Sequence, residues 1–172
     1  LWVVTGVQTC ALPICYLLPH TDLDILSAVE SPPWDKVWMD LYGRAIANRQ
    51  VDEGNTVTSV GYITASQRDV IPMIAEQLLR ERGVDTVYVI GIQPDTIDVS
   101  IRTNNQTYDF AKLSEVLPDT ATSGGKEGAG GIKIPFDAFG GFLDPKDESN
   151  KKAVEDMVAR EFGKRVLGIS HV

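Results

Sequence analysis

The fold class follows from VYVIGIQPDTIDVSIRT, Val87 to Thr103. Val87 to Ile92 is a continuous apolar run, the pattern of a central strand covered on both faces. Gln93-Pro94-Asp95 turns the chain. Thr96 to Thr103 then alternates, sending Ile97, Val99 and Ile101 to one face and Asp98, Ser100 and Arg102 to the other. A hydroxyl and a guanidinium therefore share the second face.

Upstream, Thr56 to Thr64 is rich in β-branched residues and predicts another strand, and Asp69 opens a helix to about Arg82. Pro72 falls in that helix's first turn, where its missing N–H does no harm, and Gly83 closes it. Strands broken by helices give an α/β class: a mixed sheet flanked by helices, with a helical linker region at the N-terminal side. In that region Thr21 or Asp22 caps a short helix through Glu30, with Leu23, Leu26 and Val29 on one face, and Ser31-Pro32-Pro33 ends it. From Trp34 to Arg49, Val37, Trp38, Leu41, Tyr42, Ala45 and Ile46 recur at helical spacing. Trp34, Trp38 and Tyr42 are spaced as a core stripe rather than as a base-stacking platform.

Downstream come an amphipathic helix from Tyr108 to Leu117, a glycine-rich loop from Ser123 to Gly131 and a strand from Ile132 to Phe136. A last helix runs from about Ser149 to Val166, with Val154, Met157, Val158, Phe162 and Val166 forming its apolar face.

At 172 residues the chain can bury a sizeable core, and 43% hydrophobic with 23% charged residues exclude a disordered or fibrous protein. Sixteen Lys and Arg against 24 Asp and Glu leave a net charge of −8, which disfavours broad adhesion to nucleic acid or anionic membranes. A polyanion would have to bind in a local pocket. The two cysteines, Cys10 and Cys15, are too few for a disulfide framework, so a reducing, cytoplasmic setting is expected. Their spacing matches no zinc pattern.

Leu1 to His20 holds no Asp, Glu, Lys or Arg, whereas charges are frequent from Asp22 onward. A signal peptide needs a basic start and a membrane helix about twenty apolar residues in a row, and Thr5, Gly6, Gln8, Thr9, Pro13 and Pro19 interrupt both. No membrane role is expected. Val4 to Ile14, VTGVQTCALPI, reads as a translated sequencing-adapter oligonucleotide, so residues 1–15 are expected to be non-native; the other reading is a buried first strand at Leu1 to Val4 followed by a loop. His20, Asp22 and Asp24 suit helix capping better than a manganese site. His171 stands apart from any cluster and reads as solvated tail.

Ser123 to Gly131 carries five glycines in nine residues, which lets backbone amides approach an anion without hindrance from Cβ atoms. It is not a Walker loop, because Thr120 stands at the first required glycine and Glu127 follows the lysine. Lys126 would supply charge, Arg102 a planar bidentate donor set for phosphate, and Ser100 a neutral donor. The plainer reading is a surface hairpin with a solvated lysine. Between Ser100 and Pro135, Arg102, Lys112, Lys126 and Lys133 balance Asp109, Glu115, Asp119 and Glu127, so this window is neutral while the remainder carries the −8.

The order VYVIGI, IDVSIRT, short helix, SGGKEGAGGIKIP resembles the C-terminal substrate-binding domain of the DHH phosphoesterases, the superfamily of RecJ exonucleases and nanoRNA or oligoribonuclease phosphodiesterases. Its S-x-R strand motif is met by Ser100 and Arg102, and its glycine motif by Gly124, Gly125, Lys126, Ala129, Gly130 and Gly131. Lys126 replaces the usual histidine and stays charged where histidine titrates. AIANRQ, SVGYIT and IPMIAEQLLRERGVDTVYVIGI are similar to the linker and early part of the same half, so the resemblance spans about Asp22 to Phe136.

The resemblance implies a parent enzyme that hydrolyses short oligonucleotides or small nucleotide phosphates with two divalent ions, manganese by preference. Those ions would sit in an N-terminal catalytic domain, in cis, that this chain does not contain. Residues 16–53 would then be the helical linker from that domain and 54–172 the substrate-binding domain. No catalytic or metal-binding residue is expected in this chain, which would be inactive alone, and a homodimer stays open. The competing reading is a non-catalytic module binding a nucleotide or other phosphate for regulation.

Overall fold

The computed structural model describes residues 16–30, 33–113, 117–139 and 147–167. The expectations for residues 1–15 and for His171 lie outside that set. The chain divides into two units, Leu1–Asp35 and Lys36–Val172. In the first, helix α1 (Leu23–Glu30) starts where Asp22 Oδ1 accepts the backbone N–H groups of Asp24 at 3.0 Å and Ile25 at 3.2 Å. The carboxylate in PHTDLD is therefore a cap.

The second unit holds α2 (Lys36–Asn48), β1 (Gln50–Asp52), β2 (Asn55–Tyr62), α3 (Val70–Leu78), β3 (Thr86–Ile92) and β4 (Thr96–Thr103). It continues with β5 (Thr122–Lys126), β6 (Ala129–Pro135) and α4 (Lys151–Leu167). The six strands form one sheet in the order β1-β2-β3-β4-β6-β5. Only β2 and β3 run parallel, joined through α3, and the other neighbours are antiparallel, so the mixed α/β sheet expected from the sequence is present.

The strand β3 is buried at every position, as its apolar run requires. Its odd residues Val87 and Val89 pack with Ile71, Ile74 and Leu78 of α3 and Leu41 and Ala45 of α2. Its even residues Tyr88, Ile90 and Ile92 join Ile97, Val99 and Ile101 of β4 and Val154, Val158 and Phe162 of α4 on the opposite face. Helix α2 is thus stitched into the core, and the buried Thr58 hydroxyl donates to the Ala45 carbonyl at 2.6 Å.

Two details depart from the sequence reading. Strand β1 was not foreseen: it pairs with β2 through the two-residue turn Glu53-Gly54, both at positive φ (44° and 81°), the geometry that follows strand twist in a tight hairpin. The glycine-rich segment is not a loop but a hairpin, as the plainer sequence reading had it, with Lys126 exposed. Its residues pair as β5 and β6 from Lys126↔Ala129 to Thr122↔Lys133, leaving only Glu127-Gly128 as the turn, with Gly128 at φ 75°. Phe110–Lys112 forms a 3-10 turn, and residues 114–116 of the helix expected from Tyr108 to Leu117 fall outside the described set.

Candidate functional site

Antiparallel neighbours directly opposite each other share a sheet face, so the register of β4, β6 and β5 places the site residues in rows. One row is Arg102, Ala129 and Lys126. The next is Ser100, Gly131 and Gly124, and the third is Asp98, Lys133 and Thr122. All three rows lie on the face that carries α3. That helix packs on β3 and β4, and among the described residues no element packs comparably on the β6–β5 part of the face.

The uncovered part forms a cleft of about 500 Å³. Its walls are Arg68, Asp69, Ile71 and Pro72 at the start of α3 and Thr122, Ser123 and Gly124 on β5. Its floor is Asp98 to Ser100 and Gly131 to Lys133. Across the middle row, Gly124 and Gly131 present bare backbone beside the Ser100 hydroxyl. An added Cβ at Gly124 would meet nothing within 4 Å, and at Gly131 only the Val99 carbonyl at 3.7 Å, so packing does not demand glycine at either position.

Gly125 and Gly130 are different. They lie on the reverse face, where the Phe110 ring covers both: a Cβ on Gly125 would stand 2.8 Å from the ring, and one on Gly130 would run into it. Of the glycine-motif residues, Gly124 and Gly131 line the cleft with Ser100, Lys126 and Ala129 lie with Arg102 on the same sheet face outside that lining, and Gly125 and Gly130 serve the packing of Phe110.

Arg102 is half-buried. Its NH1 donates to the Ile101 carbonyl at 3.0 Å and to the Ser100 hydroxyl at 3.4 Å. Lys126 and Lys133 are exposed. The sequence reading placed Asp98 on the face of Ser100 and Arg102 without assigning it a role, and did not reach Arg68. Asp98 is only 4% exposed; its Oδ2 forms an ion pair with Arg68 Nε at 3.2 Å and accepts a hydrogen bond from the Gln93 amide. Its Oδ1 is buried without a hydrogen-bond partner. No sequence signal joins Arg68 to Asp98, because their meeting depends on how α3 settles on β4.

Among the described residues no group of three or more His, Cys, Asp or Glu side chains is placed to hold a metal ion. Among them, too, no helix is long and apolar enough to cross a membrane.

No family model matches the chain. An uncharacterized protein of Methanocaldococcus jannaschii is 32% identical over 155 residues, which cover 90% of this chain and 30% of that protein. An exopolyphosphatase-related protein from Bacteroides fragilis superposes with a TM-score of 0.55 at 17% identity, over 94% of this chain and 45% of that one. RecJ from Thermus thermophilus gives a TM-score of 0.41 at 12% identity, over 72% of this chain and 17% of that one. The chain thus spans 30% of the length of its curated relative, and its fold is shared with the matching part of the Bacteroides protein.

Proposed function

We propose that this chain is the substrate-holding part of a metal-dependent phosphoesterase of the DHH superfamily, and that its cleft receives a phosphate of a short oligonucleotide or small nucleotide. The observation that carries the reading is the row Ser100, Gly131, Gly124, a strip of hydroxyl and Cβ-free backbone lying between a row with Arg102 and Lys126 and a row with Lys133. A phosphate on that strip meets cationic side chains from both sides, and Arg102 offers it a planar fork of donors. The fold shared with an exopolyphosphatase-related protein supports the same reading.

In this proposal Ser100, Arg102, Gly124, Gly131 and Lys126 contact or surround the phosphate. Ala129 keeps the space between Arg102 and Lys126 open. Gly125 and Gly130 shape the hairpin from behind. Bond breaking, with its two divalent ions, belongs to a further domain of a longer parent protein.

The test is calorimetric titration of the chain with a 5′-phosphorylated dinucleotide and with the same dinucleotide lacking the terminal phosphate. The phosphorylated form should bind more tightly, and Arg102→Ala should remove the difference. Equal binding of the two forms, or no binding of either, would overturn the reading.

A further inference from the structure

The Arg68–Asp98 pair is unequal in a way that a purely structural ion pair need not be. Asp98 is almost wholly buried, whereas the Arg68 side chain is 57% exposed. Only Nε of the guanidinium is engaged, at 3.2 Å from Oδ2, and no hydrogen bond or ion pair of its terminal nitrogens is present among the described residues. Arg68 itself lines the wall of the cleft. The Gln93 amide donates to the same Oδ2.

Burying a carboxylate oxygen without a partner is costly, and such groups persist where the surrounding structure has a use for them. Here Oδ1 of Asp98 is left without a partner although Lys133 is its direct neighbour on β6. The lysine remains exposed at the cleft. Asp98 thus spends its charge on orienting one arginine and leaves a second cation available. The Asp69 carboxylate, also on the wall, opposes them in part.

Resting on the phosphate reading of the cleft, we infer that Arg68 is a second anion contact, held in position by Asp98, and that the cleft grips a ligand carrying two separated phosphates. One phosphate would lie toward Arg102 and Lys126 and the other toward Arg68 and Lys133. Four residues of extended strand separate the Arg102 row from the Asp98 row, about 13 Å. A linear ligand whose outer phosphates are more than one nucleotide apart spans that distance, and a mononucleotide does not.

The experiment compares 5′-phosphorylated dinucleotide and trinucleotide on the whole chain by calorimetry, with near-ultraviolet circular dichroism to verify folding. The wild type should bind the trinucleotide roughly ten-fold or more tightly than the dinucleotide, the worth of a hydrogen-bonded charge contact. In Arg68→Ala the ratio should collapse toward one, and Arg68→Lys should restore part of it, since charge returns without the fork. Asp98→Asn should lower the ratio with Arg68 still present, which identifies Asp98 as a positioning residue. An Arg68→Ala protein that folds and keeps the wild-type ratio overturns the second contact and leaves the phosphate reading standing. Failure of both probes to bind the wild type overturns the two together.

Discussion

The ring of Phe110 lies so close over Gly130 that a methyl group there would overlap it. Gly125, paired with Gly130 across β5 and β6, faces the same ring at distances that likewise exclude a Cβ. Gly130→Ala must therefore displace an aromatic side chain that also stacks edge-on against Tyr108, with ring centroids 4.7 Å apart. Overpacking of this kind costs about 1–3 kcal/mol. Urea unfolding should show that loss for Gly130→Ala and most of it regained in Gly130→Ala/Phe110→Leu. Gly124→Ala, on the open face, should be nearly neutral.

The same glycines show how far the sequence could be read. The period-two alternation of Thr96 to Thr103 and the apolar run before it are local signals, and they located β3, β4 and the shared face of Asp98, Ser100 and Arg102. The glycine cluster was legible as a loop or a hairpin, but not as to which glycine faces which side. Nothing local distinguishes a glycine kept for anion approach, such as Gly131, from one kept for a ring twenty residues away in sequence, such as Gly130. The Arg68–Asp98 pair was illegible for a related reason: thirty residues and a helix crossover separate the partners. Strand β1 escaped because three exposed residues carry no hydrophobic alternation.

Thr86 and Thr103 face each other across β3 and β4, with their hydroxyls 2.9 Å apart. The Thr103 hydroxyl donates to the Asp85 carbonyl at 3.1 Å and accepts the Asn105 N–H at 3.0 Å. Its single proton is thereby used, so Thr86 is the donor of the pair. Thr103→Val removes all three contacts in a buried setting and should cost about 1–3 kcal/mol. Thr86→Val removes one and should cost about 1 kcal/mol. Thr103→Ser, which retains the hydroxyl, should stay close to wild type, and chemical denaturation of the three variants checks the order.

Tyr88 and Tyr108 share a hydroxyl contact of 2.9 Å beneath the sheet. Burial pushes the Tyr88 phenol well above its ordinary value of 10.0, and the bond and charge of Tyr108 push it further in the same direction. Burial also raises Tyr108, although its bond to Tyr88 works in the opposite sense. A phenol whose pKa is higher in the fold than in the unfolded chain keeps its proton where the unfolded chain has lost it. The stability it contributes is full below the unfolded value and declines as pH rises toward the folded one. Unfolding midpoints should therefore fall between about pH 9 and about pH 11. That decline should be shallower in Tyr88→Phe/Tyr108→Phe, and tyrosinate absorbance should show two phenols fewer titrating in the wild-type fold than in denaturant.

Phe162 of α4 is 1% exposed and meets the edge of Tyr88 at a centroid distance of 5.9 Å. It fills the core under β3 and β4 together with Val154 and Val158. Truncating a buried Phe to Ala costs about 3–5 kcal/mol. Because typical domains hold only about 5–15 kcal/mol in all, Phe162→Ala should lower the thermal midpoint steeply. If α4 were merely appended to the sheet, the midpoint would hardly move, and differential scanning calorimetry distinguishes the two.

Arg102 stands where fold and ligand claims on one side chain can be separated. Its two hydrogen bonds within the protein, to the Ile101 carbonyl and the Ser100 hydroxyl, are made by NH1 alone. They fix the stem and leave the remaining guanidinium donors for an anion. Replacing a half-buried arginine that supports no other element should cost the fold little, about 1 kcal/mol. Losing a charged donor to phosphate should cost binding about 1.5–3 kcal/mol, a factor of ten or more in affinity. Arg102→Ala is therefore expected to unfold near the wild-type urea midpoint yet bind a 5′-phosphorylated dinucleotide at least ten-fold more weakly. Arg102→Lys should recover less than half of that loss in free energy, since an ammonium offers charge without the planar fork. Equal loss of stability and affinity in Arg102→Ala would instead make the residue a structural strut of β4, and the phosphate would have to be sought nearer Lys126.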